Sequence, residues 1–474
     1  MKILKTIICV FLSLMAVMLP PASVIAVMLS TPAQYQSTFY GALDDKFDRL
    51  CEIEEEKIVV VGGSSVAFGL DSALLEEYTG KPCVNFGLYA ALGTRLMLDL
   101  SRAGINKGDT VILAPELDEQ TLSMYFSSEH TLQALEGNYK MARYVRTDAA
   151  LSLIGGLWKH TSEKLSHYKN GTTPDPEGVY RADSFNEYGD IAWDRAENAM
   201  PLYYDPNGKI NLTPEIFASD FVDYLNEYIR YCEYRGATVY FSFCPMNALA
   251  VQGADSASEL EDYIRDNINC ELISRIDDYV MEAGYFYDTN FHLNDAGVTV
   301  RTLKLAEDIR IASGDFRVID VEYPEAPELP MADVRYFGED DNAKYFTYEQ
   351  MPNGAMMIVG ISELGMGEKT LTIPLGYDGY KVSAIGARAF EGGAVSKVVI
   401  TEDTSLRNLL DGAFDSSSVT DLWIYYDFTD ENEKLAPCTD FGGLTLHVAP
   451  ASQYTTHYDW QNTVGRVIVT DIEN

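Results

Sequence analysis

The sequence predicts an α/β fold with a parallel sheet and crossover helices, followed by a smaller β-rich module built from repeats. Three observations carry this expectation. From Lys57 to about Ala312 short apolar runs alternate with longer amphipathic ones, which is how strands joined by helices across a parallel sheet read. Ile58-Val59-Val60-Val61 is a near-continuous β-branched run, suited to a central strand buried on both faces. Towards the C-terminus, Ala389-Phe390, Val395, Val398 and Ile400 recur as Ala413-Phe414, Val419, Leu422 and Ile424, each shifted by 24 residues, and Leu446 and Val448 continue the series.

The first element is an export signal. Lys2 and Lys5 precede an uncharged run from Thr6 to Leu29, long enough to span a bilayer as a helix that tolerates Pro20 and Pro21 as a kink. A cleaved signal peptide is the competing reading, with its apolar part ending near Leu19 and Val24-Ile25-Ala26 as the cleavage site. Either places the chain after Ser30 outside the membrane, so membrane contact is expected through the N-terminal segment only.

Five strands follow, at Lys57 to Gly62, Pro82 to Gly87, Asp109 to Ala114, Ala237 to Cys244 and Tyr285 to Tyr287. Helices are expected at Asp71 to Tyr78, Thr94 to Ala103, Pro214 to Tyr234, Ser256 to Ala283 and Asp295 to Ile311. Between about Thr147 and Leu212 the pattern lapses into a stretch rich in Gly, Pro, Asp and Tyr, too long for an ordinary connection and read as an insertion, either a lid or decoration. The acid- and proline-bearing run Val321 to Pro330 reads as a linker. The expected domains are therefore 1–30 (signal), 31–315 (α/β, insertion about 147–212), 316–340 (linker) and 341–474 (repeats). A period in the twenties with one strand per unit is what a leucine-rich-repeat solenoid requires, because one unit cannot bury its own apolar face.

Composition limits the partners. The chain has 474 residues, enough for more than one core, and a formal charge of -37. That charge repels nucleic-acid phosphates and anionic headgroups, so no nucleic-acid partner is expected. Its seven cysteines form no CxxC pair or Cys/His cluster, and no metal site is expected; core residues and disulfides both remain open for them.

Two stretches carry possible chemistry. Gly62-Gly63-Ser64-Ser65-Val66-Ala67-Phe68-Gly69 follows the first strand, where open α/β sheets bind ligands. It lacks the spacing of a dinucleotide site and the lysine of a P-loop, so its serines are the reactive groups, with a structural turn as the alternative. Asp288 and His292 precede the last expected helix. A serine needs a base, and an imidazole oriented by a carboxylate is the usual one.

The region from Lys57 to Ala312 resembles the SGNH/GDSL hydrolase superfamily. Gly63-Ser64-Ser65 with Gly69 matches its first block, Asn85-Phe86-Gly87 its second and His292 its last. The resemblance implies an SGNH-type flavodoxin-like three-layer sandwich, with Ser65 as nucleophile, His292 as base and Asp288 as orienting carboxylate. It also implies an oxyanion hole from the backbone N–H groups of Ser65 and Gly87. Two departures stand out. Asp288 lies four residues before His292 rather than three, with Thr289 at the usual acid position. The Gly-x-Asn-Asp block is replaced by Ala114-Pro115-Glu116-Leu117-Asp118, so the customary amide donor is missing; Asn247 is a candidate substitute, and a turn residue is its other reading. Ser64, Asn85 and Glu116 are expected to line the site.

The region from Leu371 to Ile468 resembles BspA-like leucine-rich repeats of bacterial surface proteins, whose Ile-Gly-x-x-Ala-Phe core is matched by Ile385-Gly386-Ala387-Arg388-Ala389-Phe390. Packing or spacing stands against adhesion or glycan binding as its purpose. The pattern as a whole is similar to membrane-tethered SGNH proteins of bacterial envelopes. It implies an extracytoplasmic serine esterase or O-acyltransferase acting on acyl, above all acetyl, esters of carbohydrate, without cofactor, with a membrane acyl-transfer protein as a partner if it transfers. The alternative is a catalytically weakened SGNH domain serving as a glycan-binding or adhesion protein.

Overall fold

A computed structural model describes residues 19–469 apart from 175, 177, 201, 254–255, 318–320, 330–333, 429–434, 436–440, 451, 456–459 and 461–462. The protein is mixed α/β with several parallel sheets. It divides into two compact units: the first takes the chain up to Glu197, Ile210–Tyr287 and Phe291–Pro327, and the second takes Asn198–Lys209, Asp288–Asn290 and the chain from Glu328 onward. The two short segments of the second unit belong, in the sequence reading, to the first domain.

The first unit runs α1 (Ala42–Glu52), β1 (Ile58–Gly62), α2 (Ser64–Ala67), α3 (Ser72–Thr79), β2 (Cys83–Gly87), α4 (Thr94–Ser101), β3 (Thr110–Leu113), α5 (Ser128–Ala134), α6 (Thr147–Asn170), α7 (Ser219–Arg235), β4 (Thr238–Phe241), α8 (Ala257–Asn267), β5 (Glu271–Leu272) and α9 (Asp295–Ala312). The strands form one sheet in the order β2-β1-β3-β4-β5, every pair parallel, with Val60 level with Asn85 and Ile112. Every residue of β1, β2 and β3 is buried, which is why their sequences run apolar without alternation. Ile58, Val60 and Ile112 pack with Leu75 of α3 and Leu305, Ala306 and Ile309 of α9, and each such aliphatic side chain contributes about 1.5–3 kcal/mol of burial. Val59 and Val61 point the other way and are equally buried. Caps fix the helix starts: Asp71 accepts from the Leu74 N–H at 2.9 Å and Asn294 from the Gly297 N–H at 3.0 Å.

Three expectations change. Tyr285–Tyr287 is not a sheet strand; Ala283–Tyr285 is a 3-10 turn and Phe286 makes only an isolated bridge to Leu293. The fifth strand is Glu271–Leu272, inside the helix expected over Ser256 to Ala283, and that helix stops at Asn267. Leu260, Ile264, Ile268 and Leu272 continue a four-residue spacing, but pairing of Glu271 and Leu272 with Tyr240 and Phe241 overrides it. The insertion opens with a 24-residue helix, α6, hidden by Gly155-Gly156 at its centre. Residues 19–30 are helical, while the earlier part of the expected membrane segment lies outside the described residues. Among the described residues no helix is long and apolar enough to cross a membrane. Cys51, Cys83, Cys232, Cys244 and Cys270 are free thiols.

Helix α6 buries His160 to 1% exposure, with Nδ1 lacking a hydrogen-bond partner among the described residues. Burial pulls its imidazole down to about 4. An unfolded histidine titrates near 6.5, so the unfolded chain takes up this proton first as pH falls. Stability is therefore lost between about pH 6.5 and about pH 4, by up to about 3 kcal/mol. Urea denaturation of wild type and His160→Phe at pH 7 and pH 4.5 checks this: the variant should lose less stability on acidification, and equal losses would refute the assignment.

The second unit holds β6 (Phe346–Gln350), β7 (Met356–Ile361), β8 (Thr370–Thr372), β9 (Gly376–Tyr377), β10 (Tyr380–Ile385), β11 (Lys397–Ile400), β12 (Asn408–Leu409), β13 (Asp421–Ile424), β14 (Phe441–Val448) and β15 (Val464–Val469). β8, β11, β13, β14 and β15 make one parallel sheet in that order. Val398, Leu422 and Leu446, each 24 residues beyond the last, stand side by side. All three are fully buried, and Phe390 stacks on Phe414 with ring centroids 5.1 Å apart. The repeat in the sequence is thus a repeat in space, each unit covering the apolar face of the next. On the half-exposed face, Trp423 stacks on His447 at 4.4 Å and lies 3.8 Å from the Lys397 ammonium.

Candidate functional site

At the carboxyl end of β1 the chain turns through Gly62 and Gly63 into the four-residue helix α2. A side chain on Gly63 would collide with the Glu116 carboxylate, so the glycine is there to admit that group. Glu116 is 2% exposed, and its Oε1 accepts the Ser65 N–H at 2.7 Å and lies 3.4 Å from the Ser64 Oγ. Its Oε2 is buried without a hydrogen-bond partner among the described residues. Ser65 is fully buried, and its Oγ likewise has no partner among them. The nucleophile expected from the sequence therefore makes no hydrogen bond to His292 in this arrangement, and its backbone donor is already taken.

His292 is 4% exposed and stacks face to face on Phe68, with centroids 4.0 Å apart and planes 3° from parallel. Phe68 is three residues after Ser65 and closes the same turn. The histidine is held by a tight return before α9: the Tyr287 N–H donates to the His292 carbonyl at 2.9 Å, and Asn294 both caps α9 and donates to the Gly284 carbonyl at 2.6 Å. Tyr180, from the insertion, brings its hydroxyl to 3.5 Å from Nδ1, the outer limit of a hydrogen bond. Arg195, also from the insertion, donates to the Phe68 carbonyl at 3.2 Å and sets its guanidinium 5.4 Å from the Phe68 ring. Asp288 belongs to the segment Asp288–Asn290 of the second unit, where Asn290 donates to the Asp205 and Gly208 carbonyls at 2.7 Å each.

The end of β2 lies against the same turn. A Cβ on Gly87 would sit 2.5 Å from the Val66 Cβ and 2.6 Å from the Gly63 carbonyl oxygen, so only glycine permits the approach. Its N–H donates to Asn85 Oδ1 at 3.2 Å. The Asn85 amide in turn donates to the Val66 carbonyl at 3.0 Å and to Asp190 at 2.8 Å. Asp190 also accepts from the Ser72 N–H at 2.7 Å and hydroxyl at 2.8 Å, and Lys46 donates to the Asn85 carbonyl at 3.1 Å and to the Gly189 carbonyl. Burial pulls the Lys46 ammonium down to about 7 and pushes the Asp190 carboxyl up. Asn247 accepts the Leu249 N–H at 3.1 Å, the bond of a turn residue.

The structure thus gathers Ser64, Ser65 and Glu116 in one hydrogen-bonded group, sets Asn85 and Gly87 beside it, and packs His292 on the Phe68 that follows. Sequence reasoning did not single out Phe68, Tyr180, Arg195, Asp190 or Lys46. The insertion reads from its sequence as either a lid or decoration, nothing local marks which of its side chains reach inwards, and Lys46 precedes the first strand without a motif. A buried hydroxyl lies in the turn that carries Phe68, against which the imidazole packs, while both candidate backbone donors are engaged internally, Ser65 by Glu116 and Gly87 by Asn85. Comparison with family models, curated proteins and solved structures finds no match to this chain.

Proposed function

We propose that the chain is an exported serine esterase or O-acyltransferase with an SGNH-type α/β domain and a short BspA-like leucine-rich-repeat solenoid, acting on acyl esters of envelope or extracellular carbohydrate. The observation that supports this reading is the face-to-face packing of His292 on Phe68, which brings an imidazole from far along the chain to the turn of a serine at the carboxyl end of a parallel strand. Ser65 Oγ attacks the ester carbonyl while His292 takes its proton and passes it to the leaving alcohol. A sugar hydroxyl or water, deprotonated by the same imidazole, then resolves the acyl-serine. Asp288 is the carboxylate that the sequence offers to orient His292. The oxyanion would be received by the Ser65 and Gly87 N–H groups once Glu116 and Asn85 release them. A membrane protein carrying the acyl group suits the transfer form of this reaction.

A second reading, a weakened SGNH domain retained for glycan binding or adhesion, is favoured by one observation: the Ser65 N–H is held by Glu116 at 2.7 Å. Short-chain aryl-ester hydrolysis and labelling by a serine-reactive fluorophosphonate separate the two. The catalytic reading expects Ser65→Ala to abolish labelling, and Ser65→Ala and His292→Ala each to lower hydrolysis by about a thousandfold or more. Hydrolysis that survives Ser65→Ala would remove the assignment. Wild-type protein that neither hydrolyses nor labels would favour the binding reading.

A further inference from the structure

Helix α6 has a buried face and, on another side, an exposed apolar stripe. Ala149, Leu153, His160, Thr161 and Lys164 are buried against the first unit, whereas Leu151, Ile154 and Trp158 are 65%, 59% and 71% exposed. At about 100° per residue those three fall within an arc of roughly 60°, on the side away from Leu153 and His160. Gly155 borders this arc, about 40° beyond Leu151, and a Cβ there would meet nothing within 4 Å, so with the three exposures the stripe lies open among the described residues. Single exposed apolar side chains are ordinary, but three large ones in line, one a tryptophan, mark a surface that is covered in use.

The occupant follows from what is fastened to this helix. The helix over 19–30 continues the uncharged run Thr6 to Leu29, and the chain just after it is clamped to α6. The Gln34 and Tyr35 N–H groups donate to Glu136 Oε2 at 2.6 and 2.7 Å, and Glu136 Oε1 pairs with Lys164 of α6 at 2.8 Å. The Tyr35 ring lies 5.8 Å from His160 and 5.7 Å from His167. Tyr35 is the fifth residue after Ser30, a reach of at most about 18 Å. The apolar segment therefore enters the molecule close to α6. With a chain charge of -37, attraction to anionic headgroups cannot supply the contact, whereas a tryptophan flanked by aliphatics suits a neutral headgroup–acyl boundary.

From this we infer that α6 rests on the bilayer surface through Leu151, Ile154 and Trp158, a second membrane contact beyond the N-terminal segment. The inference rests on that segment being membrane-inserted, as the export reading has it. None of the four tryptophans precedes Trp158 in the sequence, so the N-terminal segment contributes no signal to a fluorescence test. The full chain is reconstituted with phosphatidylcholine vesicles whose acyl chains are brominated, and emission is compared between wild type and Trp158→Phe. The expected result is that the Trp158 contribution, taken as the difference, falls by half or more in brominated vesicles, and that the double change Leu151→Gln, Ile154→Gln removes this quenching while the protein still floats with the lipid. Flotation without quenching of Trp158 overturns the inference and leaves the N-terminal anchor standing. Failure to float overturns both. Trp158 shielded from aqueous iodide yet untouched by bromine also overturns it, in favour of a protein partner.

Discussion

Asp109→Ala is expected to destabilise the first unit by about 3–5 kcal/mol, because it strands a buried cation. Both side chains of the Lys57–Asp109 pair are 0% exposed, with Nζ and Oδ2 3.0 Å apart. The carboxylate also accepts the Lys57 N–H at 3.2 Å and the Asn106 N–H at 2.7 Å. On the main chain, Lys57 C=O receives the Thr110 N–H and Asp109 C=O the Thr238 N–H, each at 2.9 Å, so this pair sits where β1, β3 and β4 begin. After Asp109→Ala the ammonium would keep only the Ile53 carbonyl, at 3.2 Å. Urea denaturation measures the loss, and the double variant Lys57→Met, Asp109→Leu should recover much of it, since a well-packed apolar pair avoids the desolvation that the ions suffer. A loss below about 1 kcal/mol in the single variant would show that water or rearrangement reaches the ammonium. The strands begin at the end of the sheet opposite the serine turn, so activity per folded molecule should be unchanged.

What could be read from the sequence depends on how local its cause is. β1 to β3 were visible because strands buried on both faces run mostly apolar, β4 because Val239, Tyr240 and Phe241 are buried in a row, and the 24-residue shift was visible because stacked units must present Val398, Leu422 and Leu446 at one level. β5 was hidden: two residues, Glu271 and Leu272, become a strand only through Tyr240 and Phe241, and the local spacing there is helical. Helix α6 was hidden by two central glycines whose helical cost of about 1 kcal/mol each is offset by the burial of Ala149 and Leu153 and by the Lys164–Glu136 pair. Strand-end residues such as Ser64, Ser65, Gly87 and Glu116 stand out because parallel sheets present their carboxyl ends to ligands. Their bonding does not. That Glu116 would turn onto the Ser65 N–H, or that Lys46, Asn85 and Asp190 would share one buried network, follows from approach between segments far apart in sequence. The stacking of His292 on Phe68 has the same origin.

Glu116→Gln is expected to accelerate fluorophosphonate labelling of Ser65 and ester hydrolysis by about tenfold or more, the scale on which oxyanion donors act. The carboxylate Oε1 stands 2.7 Å from the Ser65 nitrogen, in the direction from which a tetrahedral oxyanion would accept that N–H. A developing negative charge beside the Glu116 carboxylate is repelled, and at a buried position that repulsion is weakly screened. Glutamine has nearly the same volume, holds the Ser65 N–H more weakly because its carbonyl is neutral, so that an oxyanion can displace it, and carries an NH2 group that can donate to the oxyanion, as the side-chain amide missing from the third block would. The exchange therefore removes the repulsion and adds a donor with little change in packing. Glu116→Ala serves as the contrast: it removes the repulsion without supplying a donor and leaves a cavity against Gly63, so it should be less active than the glutamine variant and less stable by about 1–3 kcal/mol. Labelling rates and thermal unfolding of the three proteins decide the matter. If glutamine labels no faster than wild type while folding equally well, Glu116 is not what holds the serine turn closed.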